Sequence, residues 1–165
     1  MAKSRLQEFF FPSLTTKFLL RAAAVALCAY LFFGHLLVPM FIRGKSMEPT
    51  YHDGGFTFCW TPSYLFHPPR RFDVVAVKLA GREVVYLKRV VALEGEEVEF
   101  RGGVFLVDGK PLKEPYVKYR FPWDLAPRKV EAGCVYLVGD NRGMPIEEHD
   151  FGQAPISRIL GKPIW

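Results

Sequence analysis

Few residues in this chain have both the type and the setting for covalent chemistry. Ser46 lies in Arg43-Gly44-Lys45-Ser46-Met47-Glu48-Pro49-Thr50, and Lys88 lies in Tyr86-Leu87-Lys88-Arg89-Val90-Val91. A serine becomes a nucleophile only beside a base. His52, His67 and His149 are candidates for a Ser-His-Asp arrangement, but no Gly-x-Ser-x-Gly elbow surrounds any serine. Gly44-Lys45-Ser46 has a faint look of a phosphate-binding loop, yet the earlier glycine and the strand–loop–helix context are missing. Lysine is the other base. At its ordinary pKa of about 10.4 it is neutral in only about one molecule in 2,500 at pH 7, so it needs desolvation to act. Three cysteines and four histidines are too scattered to share a metal, and no cofactor is implied.

The elements around these residues decide whether they meet. In an alternating strand, Tyr86, Lys88 and Val90 face one side while Leu87, Arg89 and Val91 face the other. If both faces are covered, one of the two adjacent cations is buried or lines a cleft. The alternative is a lysine on the solvent face of an edge strand. The rest of the body from residue 43 reads as short strands: 56–60, 73–79, 84–93, 98–100, 104–107 and 134–138. Turn residues separate them, including Gly81, Arg101-Gly102-Gly103 and the hairpin signal Asp108-Gly109. Residues 119–128 read as a long loop. Thirteen prolines and fourteen glycines leave little room for long helices there.

Ahead of the body, residues 22–42 carry no formally charged residue. Twenty-one residues of helix span roughly 31 Å, one bilayer core. This segment reads as an uncleaved signal anchor, against a cleavable signal peptide or a buried core helix. It is long for a signal peptide's apolar region, and bulky, basic residues follow it. The chain's net charge of +5 first suggests nucleic acid. Its distribution argues otherwise. Lys3, Arg5, Lys17 and Arg21 against Glu8 give the first 42 residues +3, and the remaining 18 basic and 16 acidic residues give +2. The excess sits beside the apolar segment, where it orients the N-terminus to the cytoplasm and the body to the outer side. Three regions follow: a cytoplasmic flank (1–21), a transmembrane anchor (22–42) and an extracytoplasmic β-rich domain (43–165). Cys59 and Cys134 would then share an oxidising compartment, where pairing is open. The aromatics Phe58, Trp60, Tyr64, Phe66, Phe121 and Trp123 serve either a β-core or contact with the lipid surface.

The order of blocks resembles type I signal peptidase. The apolar helix is followed by Gly44-Lys45-Ser46-Met47-Glu48-Pro49-Thr50, Arg71-Phe72-Asp73-Val74-Val75, Tyr86-Leu87-Lys88-Arg89-Val90 and Gly139-Asp140-Asn141-Arg142, with Phe151-Gly152 and Ile159-Leu160-Gly161 closing the match. The resemblance implies a mainly β fold: one N-terminal transmembrane helix, then a compact all-β catalytic domain with a small accessory β-meander. It implies a membrane-bound serine endopeptidase that removes signal peptides after small residues, with Ser46 as nucleophile and Lys88 as general base. Its partners would be precursor proteins and the lipid bilayer. Gly44, Met47, Tyr86 and Leu87 would form the oxyanion and substrate pocket, the Ser46 N–H would be an oxyanion donor, and Arg89 with Asp140 would be a supporting ion pair.

The chain also departs from that pattern. Gly44 stands where many relatives have a serine whose hydroxyl is a second oxyanion donor. After Asn141 the relatives commonly continue Ser-x-Asp-Ser-Arg, whereas this chain has Arg142-Gly143-Met144-Pro145-Ile146-Glu147-Glu148-His149. Pro145 matches the serine that orients the general base. Glu147 and His149 match a carboxylate–arginine pair, and would keep opposite charges only with His149 protonated. A client-restricted maturation peptidase of the same chemistry, for a pilin or conjugation protein, is the nearest alternative. A tethered peptide-binding module with impaired catalysis is the other. Soluble self-cleaving repressors share the chemistry but need a DNA-binding domain that a 42-residue anchor cannot supply.

Overall fold

We describe the protein from a computed structural model covering residues 14–78 and 85–164. The flank 1–13, with Lys3, Arg5 and Glu8, and the expected turn at Gly81 lie outside the described residues, as do Leu79 and Val84 at the ends of two expected strands.

Helix α1 (Thr16–Leu31) opens at Thr15, whose Oγ1 accepts a hydrogen bond from the Phe18 N–H. A π-turn over Phe32–Leu36 extends it. Together they form a 21-residue apolar helix of mean hydropathy 1.7, long and apolar enough to cross a membrane and unburied by the rest of the protein. This differs from the expected span of 22–42 at both ends. The helix takes in Lys17 and Arg21, and it stops before Leu37–Phe41, which form strand β1. Pro39 explains the stop: it lacks an N–H and biases Val38 toward extended backbone, and an edge strand tolerates it. Val38 and Met40 then pack on the cluster containing Met47 and Leu87, a contact helix could not provide.

The remaining strands are β2 (Phe56–Trp60), β3 (Val74–Lys78), β4 (Val85–Ala92), β5 (Glu97–Arg101), β6 (Val104–Val107), β7 (Lys110–Pro111), β8 (Leu125–Lys129), β9 (Cys134–Val138), β10 (Gly152–Pro155) and β11 (Ile159–Ile164). All named strands pair antiparallel. The large sheet runs β1-β2-β11-β3-β4-β9-β10, and the small one β7-β6-β5-β8. The small sheet contains the expected meander, with its turn at Gly102-Gly103, and adds β8 from within the expected loop 119–128. Leu-Ala-Pro-Arg-Lys has no apolar alternation; backbone pairing to β5 holds it.

Strand β3 shows how the large sheet is covered on both faces. Val74 and Ala76 join a cluster with Ile42, Met47, Cys59 and Leu87, while Val75 and Val77 join one with Val90, Val135, Leu137 and Ala154. A third cluster joins the two sheets, with Phe100, Phe105, Trp123 and Tyr136 at its centre. Cys59 and Cys134 belong to different clusters and are free thiols. The aromatic set divides: Trp123 is core, Phe58, Trp60 and Tyr64 are half-buried, and Phe66 and Phe121 are exposed.

Candidate active site

β4 is an interior strand between β3 and β9, so its two cations cannot both reach water. Lys88 is the buried one, only 1% exposed. Across β3 it pairs with Val75, and across β9 the register Arg89–Val138 and Val90–Leu137 leads to Gly139 as its next opposite residue. Its amine forms no hydrogen bond or ion pair among the described residues, and lies 6.0 Å from the centre of the Tyr86 ring. Burial is the main cause that holds its pKa down to about 8; the positive charge of Arg142 adds to this, while Asp150 and Asp140 oppose it. A fold that leaves a lysine here has a base available near neutral pH.

Gly139 also brings Ser46 to this place. A Cβ on Gly139 would stand 2.2 Å from the Ser46 carbonyl oxygen and 2.6–2.7 Å from the His149 ring. Only a bare α-carbon permits that approach. Asn141 fastens the same loop: its main-chain N–H donates to the Ser46 carbonyl at 3.0 Å, and its Nδ2 donates to the Lys45 carbonyl at 3.1 Å. The Ser46 N–H donates to no group among the described residues, so it is available to an incoming oxyanion. Gly44 sits at φ +94°, a conformation that favours glycine, and its N–H donates to Asp53 Oδ1 at 2.8 Å. It therefore lines the cleft without offering that N–H.

Ser46, Gly44, Met47, Tyr86 and Leu87 line one cleft, together with Met40, Phe41, Ile42, Arg43 and Val85. Its interior is narrow, about 30 Å³, and opens onto a shallower hollow of about 240 Å³ lined by Met40, Phe41, Arg43, Val85 and Tyr86. Met47 and Leu87 are core residues whose outer edges form the wall. The cleft runs between the end of β1 and the start of β4, the edge along which an extended peptide can lie.

Arg89, on the opposite face, is fully engaged. Its Nε and Nη2 donate to Asp140 at 2.8 and 2.6 Å, and its Nη1 donates to the Phe72 carbonyl at 2.8 Å. Its guanidinium lies 4.1 Å from the centre of the Tyr116 ring. Thr50 donates to the same Asp140 at 2.5 Å, so the ion pair anchors the segment that follows Ser46. Thr50 and Asn141 stood in the quoted blocks without a role; their partners lie about ninety residues away, beyond the reach of local pattern.

The segment after Arg142 departs from expectation. Glu147 is exposed, and His149 is buried and uncharged, its pKa held down to about 3 mainly by burial and then by the charges of Lys88 and Arg142. No Glu147–His149 ion pair forms. Pro145 opens the turn Ile146–Glu148, offering its carbonyl to the Glu148 N–H. The buried acid–base pair nearby is Arg142 with Glu114, at 2.7 Å, and Arg142 Nε also donates to the Gly139 carbonyl at 2.7 Å. No cluster of His, Cys, Asp and Glu able to hold a metal occurs among the described residues.

A family model described as signal peptidase, peptidase S26, matches residues 15–165. The chain is 32% identical over 135 residues to a probable signal peptidase I-1 of Synechocystis sp., covering 77% of this chain and 69% of that protein. It is 33% identical over 132 residues to a signal peptidase I of Leptolyngbya laminosa, covering 75% of this chain and 65% of that protein. The alignment thus spans about two thirds of the length of these relatives. Among solved structures, a signal peptidase I from Enterococcus faecalis is 25% identical with a TM-score of 0.48, covering 57% of this chain and 95% of that one.

Proposed function

The chain belongs to the signal peptidase family, peptidase S26, a family of serine endopeptidases that cleave signal peptides, and we propose that it does so with Ser46 as nucleophile and Lys88 as general base. The observation that carries this is the burial of Lys88 on the face of β4 that meets Gly139, against which the Ser46 carbonyl packs.

In the proposed reaction the neutral Lys88 amine takes the Ser46 hydroxyl proton as Oγ attacks the scissile carbonyl. The Ser46 N–H donates to the oxyanion that develops. Collapse of the tetrahedral adduct breaks the C–N bond, and the Lys88 ammonium returns its proton to the leaving amine. Lys88 then deprotonates a water that attacks the acyl-Ser46 ester, and the proton goes back to Oγ as the acid leaves. The narrow part of the cleft beside Ser46, about 30 Å³, supports a preference for small residues before the cut. Gly44, Met47, Tyr86 and Leu87 act as its walls, and Arg89 with Asp140 as the brace behind the loop. Helix Thr16–Leu36 supports membrane anchoring, and the basic residues ahead of it support a cytoplasmic N-terminus with the sheets on the outer side. Substrates are then precursors presented at the bilayer.

The test is purified full-length protein in detergent with a peptide carrying Ala-x-Ala. Cleavage after the second alanine is expected, and its loss in Ser46→Ala and in Lys88→Ala. An inert wild type, or undiminished turnover in either variant, overturns the reading.

A further inference from the structure

Of the four histidines, three are exposed; His149 is 4% exposed and sits against Trp123 and Phe151, ring centres 5.0 and 6.2 Å away. Both of its ring nitrogens are buried without a hydrogen-bond partner among the described residues. The main chain of Asp150 and Asn141 comes near enough to favour its protonation slightly, but in no hydrogen-bonding geometry. Packing does not explain such a residue. A phenyl ring would fill the same space without leaving two buried polar atoms unsatisfied. The ring's polar edge is directed at the site: Cε1 and Nε2 lie 2.6 and 2.7 Å from the point where a Gly139 Cβ would stand, on the side shared with the Ser46 carbonyl. Gly139 is also the residue opposite Lys88 along the register.

We propose that His149 is a positioning residue for the general base: its uncharged imidazole is the polar group against which the Lys88 amine is held in line with Ser46. This rests on the Ser46–Lys88 reading. With Nε2 toward the site, the Nδ1–H tautomer of the neutral imidazole can receive a hydrogen bond from the ammonium form, and the Nε2–H tautomer can give one to the amine form. Lys88 passes through both states in each half-reaction. The charged groups facing the pair are Arg142 and Asp140 beyond β9 and Asp150 beside the ring; the charge of Lys88 itself, with burial, keeps the imidazole neutral.

Two variants separate positioning from packing. H149F keeps an aromatic ring against Trp123 and Phe151 and removes both nitrogens; H149N keeps a donor and an acceptor and removes the ring. In peptide cleavage by the full-length protein, assayed below each variant's melting temperature, H149F should lose about a hundredfold in kcat with KM little changed. Its melting temperature should not fall. H149N should melt lower yet keep kcat within about tenfold of wild type. The reverse order, or equal kcat in the two variants, overturns the proposal and makes His149 a packing residue. Ser46→Ala and Lys88→Ala run alongside. If both are dead while H149F is fully active, only the positioning role fails; if both remain active, the dyad fails and the positioning role with it.

Discussion

Lys88 and Arg89 are adjacent on β4, both withdrawn from water, and the two faces they point to treat charge in opposite ways. On the Arg89 face every charged atom has a counterpart: two bonds to Asp140, one to the Phe72 carbonyl, a tyrosine ring over the guanidinium, and Thr50 on the same carboxylate. On the Lys88 face, among the described residues, no hydrogen bond or ion pair reaches the amine, and neither nitrogen of the neighbouring imidazole has a hydrogen-bond partner. The first face fixes geometry, because a paired buried charge is costly to disturb. The second stores reactivity, because an unpaired buried amine is destabilised as a cation and readily gives up its proton. Gly139–Asn141 joins them, touching Ser46 and His149 on one side and Arg89 on the other.

Substitution on the reactive face should give the largest effect. Lys88→Met and Ser46→Ala should each lower kcat/KM by at least about 10³–10⁴-fold without lowering the melting temperature. A comparable activity in either, measured by peptide cleavage, would erase the distinction between the faces. On the paired face, Arg89→Met should instead unfold the protein more easily, by about 3–5 kcal/mol, because it strands Asp140 at a site with no solvent access. Denaturant melts in detergent read this directly, and a loss under about 1 kcal/mol would mean the pair braces nothing. Next comes the joint itself. Gly139→Ala pushes a Cβ into the Ser46 carbonyl and the His149 ring, so kcat should fall by about 10²-fold. A substitution there that leaves kcat unchanged would show that the Ser46 loop is not held by this contact.

The paired and unpaired faces were legible to different degrees in the sequence, for physical reasons. The alternation of Tyr86, Lys88 and Val90 is a local property, and it correctly separates the two cations because a strand's period is two residues. The turn at Gly102-Gly103 is equally local. The end of the apolar helix was misplaced, since hydropathy does not distinguish a membrane residue from a half-buried strand residue, and Leu37–Phe41 has the same composition under either reading. Strand β8 escaped because its five residues carry no apolar alternation and depend on β5 for their shape. His149 escaped most completely. Its burial follows from Trp123, Phe151 and Gly139, residues that meet it only in the folded chain, and the sequence pattern suggested a charged partner for Glu147 instead.

The smallest effect is the most diagnostic, because it reads the cost of the unpaired charge itself. In the folded protein Lys88 titrates near 8, against 10.5 for an ordinary lysine. Between those values the unfolded chain holds a proton that the folded protein has released, so the stability of the fold climbs with pH across that window and is lowest below it. The full difference corresponds to about 3 kcal/mol. Cys59, whose thiol burial pushes up to about 11 from 9.0, works in the opposite direction above pH 9, so the raw profile of the wild type mixes the two. The difference between wild type and Lys88→Met isolates the lysine. At pH 7 the variant should be the more stable by about 1–3 kcal/mol, and the gap should close as pH rises from 8 to 10. Over the same range the wild-type kcat/KM should rise and level off just above pH 8, as the amine becomes available to Ser46. A gap that does not close, or an activity limb centred near the ordinary lysine value, would mean that Lys88 is a paired charge like its neighbour.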